Sequence, residues 1–112
     1  MKLGMAYYHD HSVIMQIRAA INALRIRSNA GACVFGFKHL LKNWSILGQL
    51  PNIEIPTLII AGTVDFQFPP EHQMEMAKAL RNAIYKGIDK AGHNTLIEKP
   101  AQTLEFIREF VQ

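Results

Sequence analysis

The stretch Ile55-Pro56-Thr57-Leu58-Ile59-Ile60-Ala61-Gly62-Thr63-Val64-Asp65 decides the fold of this chain. The proline biases Ile55 toward extended backbone, and a continuous run of mostly branched apolar side chains follows. Such a run is typical of a strand buried on both faces of a parallel sheet. We expect Gly62 to permit a sharp turn after the strand at 56–61. Asp65 would then lie beyond the strand's carboxyl end, where open α/β sheets place functional groups.

The residues after Asp65 predict one more strand, with a helix on either side of it in sequence. Pro69-Pro70 ahead of apolar residues at helical spacing predicts a helix that starts at Pro70 and runs to Leu80. A second strand is predicted over Ala83–Ile88, and Pro100 opens a last helix. A right-handed crossover makes two such strands parallel neighbours. The predicted fold class is therefore α/β, with short parallel strands and flanking helices.

The residues before Pro51 show helical periodicity instead. Apolar side chains recur at helical spacing from Val13 to Leu24, and Ser28-Asn29-Ala30-Gly31 is expected to end that helix. A second helix is predicted from roughly Cys33 to Leu47. We therefore divide the chain into a helical segment, 1–50, and an α/β segment, 51–112.

Composition narrows the function classes. With 112 residues, 49% of them apolar, the chain is one domain or part of one. The 12 Lys and Arg residues against 9 Asp and Glu give a net charge of +3, but the positive residues are scattered, which disfavours nucleic-acid binding. No apolar run reaches the roughly 20 residues of a membrane span, and no signal-peptide core is present. A single cysteine excludes an intrachain disulfide. We expect a cytoplasmic protein that binds neither membrane nor nucleic acid.

The His9-Asp10-His11 triplet suggests a metal site, but a solvated turn before a helix explains it better. Imidazoles two residues apart diverge on a helix, and no third ligand lies nearby in sequence. Asp10 or Ser12 would then cap the following helix. We expect no metal and no cofactor.

Asp65 and His93 each follow a predicted strand, so parallel pairing would bring them to the same edge of the sheet. A carboxylate beside an imidazole fixes its tautomer and stabilises its charged form during proton transfer. We expect the two side chains to lie about 2.6–3.2 Å apart. The alternative is that Asp65 caps a turn while His93 lies in a polar loop.

Residues 53–112 resemble the C-terminal segment of the α/β-hydrolase superfamily. The resemblance rests on these motifs: Ile55–Asp65, Pro69 with the helix to Leu80, Ala91-Gly92-His93, Glu98, Pro100 and Phe106–Phe110. It implies that Asp65 is the catalytic acid and His93 the catalytic histidine. Residues 1–50 resemble, more loosely, the helical lid that many members insert before this segment. The implied architecture is the C-terminal part of an α/β-hydrolase fold.

The nucleophile that the resemblance implies is not evident. The family carries it on a G-x-S-x-G elbow between a strand and a helix, and none of Ser12, Ser28 and Ser45 has the flanking glycines. Cys33, in Gly31-Ala32-Cys33-Val34-Phe35, is the nearest imitation, but a helix rather than a strand is predicted before it. We expect Cys33 to be a buried apolar side chain. No His-Gly-Gly stretch offers an oxyanion hole.

Two functions follow from these expectations. In the first, the chain contributes the acid and histidine of a hydrolase triad to a full-length parent with a small-molecule substrate, and is inactive alone. In the second, it is a non-catalytic, self-associating or interaction module on a hydrolase-derived scaffold. The uncharged apolar strand Thr57–Ala61 has nothing to protect its edge, so we expect a homodimer.

Overall fold

The structure of the chain, a computed structural model, describes His9, residues 12–25 and residues 29–112. The described elements, in chain order, are α1 (Val13–Arg25), α2 (Ala30–Phe35), a π-helix (Gly36–Leu40), a 3-10 helix (Leu47–Asn52), β1 (Thr57–Gly62), α3 (Pro70–Ala79), β2 (Ala83–Ile88), α4 (Thr95–Glu98) and α5 (Pro100–Val111). The α/β order predicted after Pro56 is confirmed, including both proline helix starts. The four-residue α4 was not predicted.

Within the described residues the sheet has two strands, and they are parallel as predicted. The register pairs Thr57 with Ala83 and ends with Gly62 opposite Ile88. Both strands therefore end at the same level, and the loops that follow them emerge side by side. This arrangement brings the loops that carry Asp65 and His93 to one edge of the sheet.

Two neighbouring residues of β2 show that α3 and α5 cover opposite faces of the sheet. Burial, and secondarily the Glu71 carboxylate on α3, raises the pKa of the Tyr85 phenol. Lys86 instead pairs with Glu109 on α5 at 3.1 Å and lies 4.9 Å from the centre of the Phe106 ring. Because successive side chains of a strand point to opposite faces, the two helices sandwich the sheet.

The tightest packing lies at the carboxyl end of the sheet. Ile88 and Ala91 are fully buried, and Ala61 is 1% exposed. Gly62 and Gly92 are buried beside them. The loops that follow the two strands are thus held by the core.

Gly62 is needed for a reason other than the predicted turn. No described glycine has a positive φ. A Cβ on Gly62 would instead overlap the carbonyl oxygens of Ala91 and Gly92. The absent side chain lets the loop after β2 press against the end of β1. The predicted turn after β1 is present, since Asp65 N–H donates to the Gly62 carbonyl, but it does not need a positive φ at Gly62.

The second predicted helix begins earlier and ends earlier than expected. Asn29 caps it, its side-chain oxygen accepting from the Ala32 N–H at 3.1 Å, so Asn29 starts a helix rather than ending one. The helix finishes as the π-helix at Leu40, and Asn43, with φ of 64°, turns the chain away. Trp44, which the predicted helix included, consequently lies in an irregular segment after that turn.

The apolar faces of the helical segment are largely exposed in the described structure. On α1, Val13 and Ile14 are 70% and 66% exposed, whereas Met15 is buried. On the second helix, Phe37 and Leu40 are also well exposed. None of the helices in the described ranges is both long and apolar enough to cross a membrane.

Candidate active site

Asp65 is held by the turn that follows β1. Its N–H donates to the Gly62 carbonyl at 3.2 Å. Its Oδ1 accepts from the backbone N–H groups of Gln67 at 2.9 Å and Phe68 at 3.1 Å. Only 4% of the side chain is exposed. One carboxylate oxygen is therefore fixed by the backbone, which determines where the other points.

The other oxygen of Asp65 meets His93. His93 Nδ1 lies 3.0 Å from Asp65 Oδ2, which confirms the predicted separation. The Phe68 ring lies 5.3 Å from the imidazole, centre to centre. The His93 side chain keeps 29% of its surface exposed. Asp65 thus caps a turn with one oxygen and contacts the imidazole with the other. The turn-capping role and the pairing with His93, which were predicted as alternatives, occur together.

The chemistry of the pair follows from the donors that each group has. A carboxylate offers only acceptors, so Nδ1 carries the proton that Asp65 accepts. In the neutral ring, Nε2 is then the nitrogen that can take up a proton. This arrangement suits general acid–base work at Nε2, with Asp65 fixing the tautomer.

The loops that carry the two residues are tied together by hydrogen bonds. Thr63 N–H donates to the Ile88 carbonyl at 3.0 Å, and Val64 N–H donates to the Ala91 carbonyl at 3.1 Å. Lys90 N–H donates to Thr63 Oγ1 at 3.0 Å. The relative position of Asp65 and His93 is therefore set by backbone contacts as well as by their own bond.

Comparison with known proteins relates the chain to one group of proteins. No protein-family model matches the chain. Over 73 residues it is 30% identical to a protein of Pseudomonas syringae pv. syringae (strain B728a) named as a carbamate hydrolase, RutD. MGS-M2, an α/β hydrolase enzyme from a Medee basin deep-sea metagenome library, is 33% identical over 60% of this chain, with a TM-score of 0.58.

The chain is a relative of the α/β hydrolases.

A further solved structure extends the likeness in fold to nearly the whole chain. The esterase EaEST from Exiguobacterium antarcticum matches 98% of this chain with a TM-score of 0.79 at 18% identity. The α/β-hydrolase relative spans only part of each of these proteins: 28% of RutD, 24% of MGS-M2 and 40% of EaEST.

In this α/β-hydrolase relative a recess of about 280 Å³ opens beside the pair. Asp65 and His93 line it together with Phe68, His72 and Met76. A second recess of about 300 Å³ shares His72 and Met76 and is also lined by residues 44–47, which lead into the 3-10 helix. The helical segment thus supplies part of the wall of a space that adjoins the pair.

The residues weighed as nucleophiles lie elsewhere. Ser12 caps α1, its hydroxyl accepting from the Met15 N–H at 3.4 Å. Cys33 is exposed on α2, so the prediction that it is buried was wrong. Ser45 borders the second recess, and Ser28 falls outside the described residues. Neither a serine nor a cysteine among the described residues lines the recess at His93.

The hypothesis of a metal site at residues 9–11 is not tested, because Asp10 and His11 lie outside the described residues. Among the residues that the structure does describe, no group of three or more His, Cys, Asp or Glu side chains could hold a metal ion.

Sequence reasoning missed two contacts of this site. The Phe68 ring beside the imidazole could not be placed from sequence, because an irregular loop carries it. Glu98 belongs to the motif that carries the resemblance, yet no role followed from its position. In the structure its Oε1 accepts from the Gly92 N–H at 3.0 Å, one residue before His93.

Proposed function

We propose that this chain supplies the histidine and the acid of a nucleophile–histidine–acid hydrolase site. The 3.0 Å contact between His93 Nδ1 and Asp65 Oδ2 beside an open recess carries the proposal. The relationship to the α/β hydrolases supports it. The substrate would be a small molecule, and we keep the cytoplasm as its expected location.

In the proposed reaction His93 Nε2 accepts the proton of the nucleophile as that group attacks a carbonyl carbon. Asp65 stays ionised and stabilises the imidazolium that forms. His93 then returns the proton to the leaving group, whose bond to the carbonyl carbon breaks. In the second half, His93 takes a proton from water as the water oxygen attacks the acyl carbon. The bond between that carbon and the nucleophile then breaks, His93 returns the proton to the nucleophile, and the acid product leaves.

The substrate class we favour is an ester or a carbamate. The names of two of the compared proteins refer to carbamate and ester hydrolysis, and both bonds are cleaved by attack on a carbonyl carbon. The two adjoining recesses approach the range of about 300–1,000 Å³ found for ligand pockets. The Trp44–Leu47 wall of the second recess supports a lid role for residues 1–50.

The nucleophile and the oxyanion donors would come from a polypeptide segment other than residues 1–112. EaEST provides a direct test, because 98% of this chain matches 40% of that esterase. We expect a chimera with this chain in place of the matching part of EaEST to hydrolyse p-nitrophenyl butyrate. The isolated chain should stay at background, since neither an activated nucleophile nor oxyanion donors are evident among the described residues.

The chimera should exceed the isolated chain by at least about 10³-fold, because a complete triad outperforms residual catalysis by more than this. Cooperative thermal unfolding of the chimera establishes that it is folded. A folded but inactive chimera would contradict the proposed function. Turnover by the isolated chain that disappears in Cys33→Ser would assign the nucleophile to Cys33 instead.

A second candidate function, self-association without catalysis, is favoured by the edge of the sheet. Within the described residues β1 pairs only with β2, so its other edge carries no strand. Its side chains are better covered than expected, since Ile59 and Ala61 are buried. The unpaired backbone groups and the exposed apolar faces of the helical segment remain the argument for a partner strand.

We expect light scattering at micromolar concentration to give twice the 12.7 kDa chain mass. Thr57→Lys, at the first position of β1, should shift that dimer toward monomer, because charge on an edge strand opposes pairing. Glu105→Lys, an exposed change on α5, is the matched control. A monodisperse species of 12.7 kDa would contradict strand pairing.

A further inference from the structure

The peptide that precedes His93 has an unusual acceptor. Gly92 is buried, and a buried backbone N–H must find a hydrogen-bond partner. It does not continue the strand ladder, which ends at Ile88. The acceptor is the Oε1 atom of Glu98, six residues later, at 3.0 Å. A carboxylate therefore fixes the backbone immediately before His93.

Glu98 reaches this position because α4 folds the chain back on itself. Glu98 N–H donates to the Asn94 carbonyl at 3.0 Å, and Lys99 N–H donates to the Thr95 carbonyl at 2.8 Å. The buried Thr103 of α5 anchors the same turn, since its hydroxyl contacts the carbonyls of Thr95 at 3.1 Å and Lys99 at 2.9 Å. The backbone that carries Glu98 is thus held against the last helix.

The second oxygen of Glu98 has a separate contact. Its Oε2 accepts from the backbone N–H of His9 at 2.7 Å, across 89 residues of sequence. One carboxylate therefore accepts from two backbone N–H groups that belong to distant parts of the chain. Hydrogen bonds to an ionised acceptor are about twice as strong as neutral ones.

We propose that Glu98 is a positioning residue that joins the His93 loop to the backbone at His9. Through Gly92 it holds the backbone that aims His93 Nδ1 at Asp65, and the other oxygen of the same carboxylate holds the N–H of His9. Its meaning for catalysis rests on the proposed hydrolase function. The structural part of the proposal, that one carboxylate holds two backbone N–H groups, does not depend on that function.

The experiment compares NMR spectra of the full 112-residue chain and its variants. Glu98→Ala removes both acceptors, and Glu98→Gln keeps one oxygen but turns an NH₂ toward one of the two N–H groups. His9→Pro deletes the N–H at position 9 but leaves the Glu98 carboxylate intact. Glu105→Gln, exposed on α5, is the matched control. The readouts are amide exchange at Gly92, amide exchange at Thr63, and the tautomer of the His93 ring.

We expect Glu98→Ala to speed exchange at Gly92 about ten- to hundredfold, the loss expected for a hydrogen bond to a charged acceptor. Thr63, which donates to Ile88, should stay within about twofold, as an independent site would. The Nδ1–H form of His93 should become less populated. Glu98→Gln should give a smaller rise at Gly92 than alanine, and His9→Pro a smaller one still. Glu105→Gln should match the wild type.

Equal acceleration at Gly92 and Thr63 would show general destabilisation and overturn the proposal. So would an unchanged Gly92 rate in Glu98→Ala. If Glu98→Ala does not fold, Glu98→Gln and His9→Pro provide the test instead. A Gly92 exchange rate equal to wild type in Glu98→Gln, together with an unchanged His93 tautomer, would overturn the proposal. An unchanged His93 tautomer despite rapid Gly92 exchange would refute positioning while leaving the proposed hydrolase function standing.

Discussion

Replacing His93 by alanine in the EaEST chimera is expected to lower kcat by about 10⁶-fold, the loss seen when a triad histidine is removed. His93 would move every proton in the proposed reaction, so no step proceeds efficiently without it. The measurement is the initial rate of p-nitrophenyl butyrate hydrolysis under saturating substrate. Because the His93 side chain is partly exposed, the variant should still fold.

His72→Ala is the matched control for this prediction. His72 lines the same recess as His93, but it is His93 whose ring nitrogen is hydrogen-bonded to Asp65. We expect kcat of this variant to stay within about tenfold of the parent. Any effect should appear as a higher KM, since a recess residue that takes no part in proton transfer contributes mainly to binding. A loss for His72→Ala as large as for His93→Ala would reassign the base and contradict the proposed site.

Asp65→Asn in the same chimera should lower kcat by about 10⁴-fold through the wrong tautomer of His93. The backbone N–H groups of Gln67 and Phe68 hold Oδ1 of Asp65, and they should hold the amide oxygen of asparagine in the same place. The asparagine NH₂ would then face His93 Nδ1. Two donors cannot share that contact, so the neutral ring carries its proton on Nε2. Nε2 can then no longer accept a proton as the general base.

The control for this change is Asp89→Asn. Asp89 is an exposed carboxylate in the turn after β2, and its Oδ1 accepts from the Thr63 hydroxyl at 3.4 Å. Asp89 therefore belongs to the hydrogen-bonded loops that follow the two strands, but its hydrogen-bond partner is Thr63 rather than the imidazole. Activity near that of the parent is expected for it. Full activity in Asp65→Asn would show that the carboxylate has no part in the reaction.

The strands and their helices were predictable because local signals agreed with the tertiary packing. The run before Gly62 is apolar throughout, and the sandwich of α3 and α5 explains why both faces of β1 need apolar residues. Pro70 and Pro100 both mark real helix starts. The Asp65–His93 contact followed from strand order alone, since parallel strands end at one edge.

The remaining features depend on contacts that sequence spacing does not encode. Periodicity suggested a helix to Leu47, but the cap at Asn29 and the left-handed turn at Asn43 moved both of its ends. Gly62 is required by a loop that packs on it from 29 residues away. Glu98 was visible as part of a motif, yet its two N–H partners lie six and 89 residues away.

The tautomer of His93 tests the central claim most directly, because the pairing with Asp65 dictates it. Long-range ¹H–¹⁵N NMR on the 112-residue chain reports which ring nitrogen carries the proton when the ring is neutral. We predict a protonated Nδ1 and an unprotonated Nε2 in the wild-type chain, and the reverse in Asp65→Asn. A wild-type His93 protonated on Nε2, or a tautomer that does not respond to Asp65→Asn, would contradict the proposed acid–histidine pair.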